Sequence, residues 1–299
     1  MKIKNTIVNF HVIKNEGWME SILIMLKSNF QMIGTSKLLS YYYEFQSFEN
    51  SCHITIDDGD QSVYTHLFPL IKKYQVPVSI YVSPHAIQTG QNFWFQEIKG
   101  YDYKQFLTYY MGLKSQKQTF INEKQVSGIL KTLPVDEINA IIASYKKKFN
   151  IPDKKRLGMD LKQVQELNKS GLVTIGAHTM HHPILKNETN ERVAWEIKDS
   201  VTQLSDLLNQ EICCFAYPNG IPQLDFGTRE INLLKEVGIK LAFSTESKNF
   251  DHSFDPLSIP RRGVTKGSKH FVHAKLLLGD YWEILKNVLK PNQEKDFRK

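Results

Sequence analysis

Cysteine is scarce in this chain, with three residues in 299: Cys52, Cys213 and Cys214. None forms a C-x-x-C pair, and each lies in an apolar, strand-like run. That excludes a disulfide framework and leaves buried free thiols as the expectation. Long apolar runs are missing as well. Nothing approaches the ~18 consecutive apolar residues of a membrane-spanning helix. The start, Met1-Lys2-Ile3-Lys4, has the charge of a signal-peptide n-region. The apolar run after it, Ile7 to Ile13, is short, is interrupted by Asn9 and His11, and precedes no small-residue cleavage site. The chain is therefore expected to be soluble and cytoplasmic, or peripheral at the inner face of the membrane. The net charge is +7 and the pI about 9.0, which suits a basic solvated exterior or an anionic partner. Arginine-rich runs, zinc-finger spacing and RNA-binding aromatic motifs are all missing, so no nucleic-acid partner is expected.

What the chain does have is alternation. With 41% hydrophobic and 23% charged residues, it fits one large domain spanning 1–299. Strand signals cover Ile7 to Ile13, Cys52 to Ile56, Val78 to Val82, Val173 to Ala177, Ile212 to Ala216, Leu241 to Ser244 and Ile259 to Val264. Helical periods lie between them: Trp18 to Leu26; Val63 to Tyr74, where Pro69 should bend the helix or sit near its start; Asp160 to Gly171; Val193 to Leu208; and Arg229 to Val237. Asp160 with Gln163 three residues on is a capping-box candidate. From about 94 to 157 the strand signal vanishes, and Ile138, Ile141, Ile142, Tyr145 and Phe149 mark one apolar helical face. This stretch reads as a helical insertion. A C-terminal amphipathic helix, about 269–290, carries Val272, Leu276, Leu277, Leu278, Trp282, Leu285 and Leu289 ahead of a Lys-rich tail. It either seals the core or lies on an anionic membrane. Repeated strand–helix units indicate an α/β protein with a mostly parallel sheet, open or closed.

Polar residues concentrate where these strands end. His11, Asp57, Asp58, His178 and Asn219 all lie at or near strand C-termini, the face on which parallel barrels gather catalytic groups. The acidic pair Asp57-Asp58 precedes Gly59, and His178 and His182 stand four residues apart. Two imidazoles and a carboxylate are what a three-ligand hydrolytic metal site needs, with a position left for water. A closed structural site would want four protein ligands, thiolates among them, and no cysteine is near in sequence. His181 offers an alternative pairing, and the spacing to Pro183 favours His182. The donor set suits Zn²⁺ by default and Co²⁺, Ni²⁺ or Fe²⁺ as alternatives.

The order Thr55-Ile56-Asp57-Asp58-Gly59, then His178-Thr179-x-x-His182-Pro183, then Phe215-Ala216-Tyr217-Pro218-Asn219-Gly220 resembles the polysaccharide deacetylases, the NodB-homology group or carbohydrate esterase family 4. With the early Phe10-His11 and the late Ile259-Pro260-Arg261, the resemblance covers most of the chain. It implies a distorted (β/α)7-type barrel and metal-dependent removal of an acetyl group from a sugar. By position, Asp58, His178 and His182 would hold the metal and Asp57 would be the general base. The backbone N–H of Asn219 would help bind the oxyanion, and Arg261 would orient Asp57. Two departures stand out. Cys214 and Ala216 stand where many relatives have an arginine-containing motif, and the late Leu-His-Asp motif is missing, because His252, His270 and His273 lie in other contexts. In circularly permuted relatives, poly-N-acetylglucosamine deacetylases among them, the acid comes from an early Tyr-His, which Phe10-His11 matches. His11 is thus the expected acid. Tyr217 and Trp94, with Phe95 beside it, are candidates to contact a sugar ring. The expected substrate is an N-acetylated sugar of a glycan or glycan precursor. Two other readings stay open: a deacylase of another small amide or ester, and a non-catalytic glycan-binding relative.

Overall fold

A computed structural model describes residues 4–114, 123–264 and 267–282. Its centre is one parallel sheet built from β1 (Thr6–Phe10), β2 (Gln31–Met32), β3 (Ser51–Ile56), β4 (Val78–Val82), β5 (Val173–Ala177), β6 (Cys214–Ala216), β7 (Leu241–Phe243) and β8 (Arg262–Gly263). The strand order is β7-β6-β5-β4-β3-β1-β8, with β2 pairing beside the start of β3. Every residue of β1, β3 and β4 is buried, as in parallel strands covered on both faces, which explains why they read as unbroken apolar runs. The sheet curls into a half-barrel wrapped by helices, and a bridge between Phe243 and Ile259 links β7 to the segment leading into β8. This is the distorted (β/α)7-type barrel that the motifs imply. Each Ile or Val taken wholly out of water here contributes about 1.5–3 kcal/mol.

Register sets which residues leave the sheet together. Phe10 pairs with Ile56, so His11 and Asp57 emerge side by side, and the Asp57 N–H donates to Phe10 O at 3.0 Å. Val82 pairs with Ala177, and the His178 N–H donates to Val82 O at 3.0 Å. Ala177 in turn pairs with Phe215. Five strands, β1, β3, β4, β5 and β6, thereby deliver their ends to one rim.

Several boundaries differ from the sequence expectation. β1 stops at Phe10, not Ile13, because Asn15 caps the helix Glu16–Asn29 by accepting the Trp18 N–H at 2.7 Å, and the chain must turn before it. The expected strand Ile259 to Val264 shrinks to β8. Helix Thr35–Tyr43 is an addition; it buries only Thr35, Leu38 and Tyr41, a stripe that its run of three tyrosines obscures. Pro69 sits in the first turn of Phe68–Tyr74. The preceding turn, Val63–Leu67, widens so that the Phe68 N–H reaches Val63 O, an accommodation next to a proline that has no N–H of its own. Asp160 and Gln163 form the expected capping box, with reciprocal bonds of 2.9 and 3.0 Å.

Between β4 and β5 the helices Trp94–Ile98, Tyr103–Lys114, Glu123–Leu130 and Val135–Phe149 gather an apolar core of their own around Trp94, Phe106, Leu130, Ile138 and Tyr145. Near the C-terminus, helix Lys269–Leu278 buries Val272 and Leu276 against the helix Glu16–Asn29 and is capped by Gly279; the expected span from 283 to 290 lies outside the described residues. Leu285 and Leu289 lie outside the described residues. Phe271, Leu278 and Tyr281 are exposed on it and just beyond it. Among the described residues no helix is long and apolar enough to cross a membrane. Cys52 and Cys214 are buried, Cys213 is half-buried, and all three are free thiols.

Candidate active site and metal centre

The acidic pair divides as the chain leaves β3. Asp57 is 2% exposed, while Asp58 turns into the left-handed region at φ 71°, followed by Gly59 at φ 65°. A side chain at Gly59 would meet Val82 Cγ1 at 2.9 Å, so only glycine fits this bend. The turn sends the two carboxylates in different directions. Asp57 is gripped by Arg261 through two parallel bonds of 2.8 Å, Nη1 to Oδ1 and Nη2 to Oδ2. Asn9 Nδ2 donates to Oδ2 at 3.0 Å. Burial pushes the Asp57 carboxyl up, but the charges of Arg261, His178 and His11 outweigh it and hold the group below its ordinary range. Arg261 is itself buried, and its Nε donates to Ser244 O at 2.9 Å.

Asp58 points to the histidines. His178 Nε2 and His182 Nε2 each lie 3.4 Å from Asp58 Oδ1. That oxygen is buried without a hydrogen-bond partner. His178 donates from Nδ1 to Ala216 O at 2.7 Å, which fixes its tautomer and turns Nε2 inward. His182 packs against Phe93 and Phe95, with ring centroids 5.0 and 4.9 Å away. The loop between the histidines is tight: Thr179 has φ 61° and His182 φ 56°, and the Thr179 hydroxyl bonds His178 O and receives the His182 N–H. His181 faces the other way. Its Nδ1 meets Glu196 Oε1 at 3.0 Å and its ring stacks on Trp195.

A divalent ion fits the Asp58, His178 and His182 set. The candidate donor atoms all lie within 4.8 Å of one another and all three residues are buried. At 3.4 Å, Asp58 Oδ1 is too far from either imidazole for a good hydrogen bond. The spacing instead matches the ~3.3 Å edge of a tetrahedron with metal–ligand bonds of about 2.0–2.1 Å. A buried oxygen left unbonded between two nitrogens is an arrangement that a divalent ion could satisfy.

Around this set lies a cavity of about 340 Å³ lined by Asn9, His11, Asp57, Asn219, Arg261 and Lys275 among others. His11 is half-buried on its rim, with Nε2 4.0 Å from Asp57 Oδ2. Asn219 adopts φ 57°. Its side chain is committed to the loop: Nδ2 donates to Asp225 Oδ2 at 2.6 Å, and Oδ1 accepts from Lys131 Nζ at 2.8 Å. A larger cavity of about 710 Å³ lies elsewhere, against helix Val135–Phe149. Its Lys146 pairs with both Glu97 and Asp153, and none of the strand-end residues Asp57, Asp58, His178 or His182 lines it.

Two expected sugar contacts are corrected. Tyr217 is 1% exposed, stacks on Phe226 at 3.6 Å, and donates its hydroxyl to Leu257 O at 2.9 Å. Trp94 is 3% exposed and belongs to the core of the helices between β4 and β5. Both are packing residues. Phe95, partly exposed beside His182, is the aromatic nearest the centre that could meet a ring. Asn9 and Glu196 were not singled out by sequence reasoning. Asn9 sits one residue before the Phe10-His11 pair and could have been found through the strand pleat. Glu196 lies within a helical apolar face and gave no signal.

The profile of a family described as polysaccharide deacetylase matches residues 47–242. Among solved structures, the fold is similar to the Streptococcus pyogenes deacetylase PplD, described in complex with acetate, at 15% identity and TM-score 0.62, covering 92% of this chain and 99% of that one. It is similar to IcaB from Ammonifex degensii at 17% identity and TM-score 0.61, covering 92% and 97%. A de-N-acetylase from Aggregatibacter actinomycetemcomitans aligns at 14% identity and TM-score 0.60, covering 90% and 99%. None of the curated proteins compared by sequence matches the chain.

Proposed function

The chain belongs to the polysaccharide deacetylase family, and on that premise we propose that it is a metal-dependent hydrolase that removes the acetyl group from an N-acetylated sugar of a glycan or glycan precursor. The observation that carries this reading is the convergence of Asp58, His178 and His182, with Asp57 beside them in the grip of Arg261. A divalent ion held by those three side chains, Zn²⁺ or its relatives Co²⁺, Ni²⁺ or Fe²⁺, would polarise the acyl oxygen and lower the pKa of its water towards ~7.

The remaining roles fall to the chain itself. Asp57, kept ionised by Arg261, accepts the proton of the attacking water. The Asn219 backbone N–H, on the cavity wall, steadies the developing oxyanion, a contribution whose loss costs about 100- to 1000-fold in rate. His11 Nε2 delivers a proton to the departing amine nitrogen. The acetate bound to the Streptococcus pyogenes deacetylase is the product this reading expects. Removing the metal with a chelator should stop acetate release from an N-acetylhexosamine oligomer, and adding Zn²⁺ should restore it. Undiminished release from metal-free protein would refute the proposal.

The acid role of His11 has its own test. An amide needs its leaving nitrogen protonated, whereas an aryl acetate loses a stable phenolate without help. His11→Asn should therefore slow deacetylation of the sugar amide by about 100-fold or more and leave aryl acetate hydrolysis nearly unchanged. Equal losses on both substrates would remove His11 from that role. The same pair of assays bears on the deacylase alternative, since efficient turnover of aryl acetates alone would favour it.

A further inference from the structure

Glu196 is a carboxylate with 0% exposure on the inner face of helix Asn190–Leu208, between the buried Val193 and Ile197. A charge in such a place persists only if it is fully partnered. Its partners lie on its own helix and in the loop that carries His182. Oε2 accepts the N–H groups of Met180 and His181, each at 2.9 Å. Oε1 meets His181 Nδ1 at 3.0 Å and Arg192 Nη2 at 3.1 Å. The two amides it holds are the two immediately before His182. Thr179 and His182 both occupy the left-handed region, which non-glycine residues keep only when their surroundings impose it.

We propose that Glu196 is a positioning residue for the metal centre: by taking the Met180 and His181 amides on one oxygen, it sets the backbone turn that aims His182 Nε2 at Asp58. The inference rests on the reading of Asp58, His178 and His182 as metal ligands. His181, for all its closeness to the motif, serves the far side of this turn. Its ring fills the space between Glu196 and Trp195 and is not part of the Asp58, His178 and His182 set.

Two conservative variants separate this role from a merely structural one. Glu196→Gln keeps an oxygen at full reach for the two amides but gives up the charge. Glu196→Asp keeps the charge but withdraws it by one methylene. The readout is Zn²⁺ affinity by chelator competition on folded protein, together with the thermal midpoint of the metal-free form. Glu196→Asp should weaken Zn²⁺ binding by about 10-fold or more, and Glu196→Gln should stay within a few-fold of the unaltered protein. The opposite ranking would show that charge pairing with Arg192 is what matters and would overturn the proposal. So would two variants that lower the metal-free midpoint yet bind Zn²⁺ as well as the parent. Failure of the unaltered protein itself to bind Zn²⁺ would instead defeat the underlying metal reading, so the two failures are distinguishable.

Discussion

Asp57→Asn is expected to lower acetate release by about 100- to 10,000-fold, the usual span for loss of a positioned general base, while the protein still takes up its metal. The two halves of this result come from the divergence of the acidic pair. Asp58 turns away at φ 71° towards the histidines, so nothing in the ligand set depends on its neighbour. Asparagine has nearly the shape of aspartate and still offers an oxygen to Arg261 Nη1. Its amide nitrogen, however, cannot accept from Asn9 and Arg261 Nη2 as Oδ2 now does. Some loss of stability will accompany the loss of rate, and turnover should be measured well below the thermal midpoint. Asp58→Asn and His178→Ala should give the complementary outcome, with metal content and activity falling together. If Asp57→Asn empties the site, or keeps near-normal rates, the division of roles between the two carboxylates is wrong.

The fold was largely legible because parallel strands covered on both faces announce themselves as short β-branched runs. β3, β4 and β5 were located nearly to the residue in that way. The weaker elements, Gln31–Met32 and Thr35–Tyr43, have no such pattern: the strand is two residues long, and tyrosine occupies buried and half-exposed helix positions alike. Within the site, Asp57, Asp58, His178 and His182 stood out because their chemistry is concentrated in residue type and spacing. What spacing could not supply was direction. Tyr217 lies in the same motif as Asn219 but turns inwards to Phe226, whose position was open until the sheet was assembled. Trp94 looked like a wall for a ring because it follows a strand, yet the helices beyond it close over it. Glu196 is the clearest case: in sequence it is one polar residue on an apolar helical face. Only the docking of that helix against the His178–His182 loop reveals that its carboxylate replaces the loop's missing backbone partners.

Arg261→Met should cost about 3–5 kcal/mol of stability at neutral pH, the usual penalty for stripping one partner from a buried ion pair. Both groups of this pair are almost wholly buried, and the bonds between them are bidentate. The sign of the pH dependence follows from which force remains. In the unaltered protein Arg261 and the nearby histidines overcome burial and depress the Asp57 carboxyl. The stability they confer is full above the ordinary carboxylate range and is lost as pH falls through the depressed value. With Arg261 gone, burial dominates and the folded-state carboxyl rises above its unfolded value. The variant is then penalised at neutral pH for holding a bare buried charge, and that penalty shrinks as the pH falls towards about 4. Urea unfolding of the metal-free proteins at both pH values should therefore show the two stabilities converging on acidification. Activity should carry the same signature, with the acid limb of the rate profile displaced upward because Asp57 gives up its ionised form sooner. An equal stability gap at both pH values with an unmoved acid limb would mean that Arg261 acts through packing between Tyr81 and Phe243, and that something else keeps Asp57 ready to take a proton.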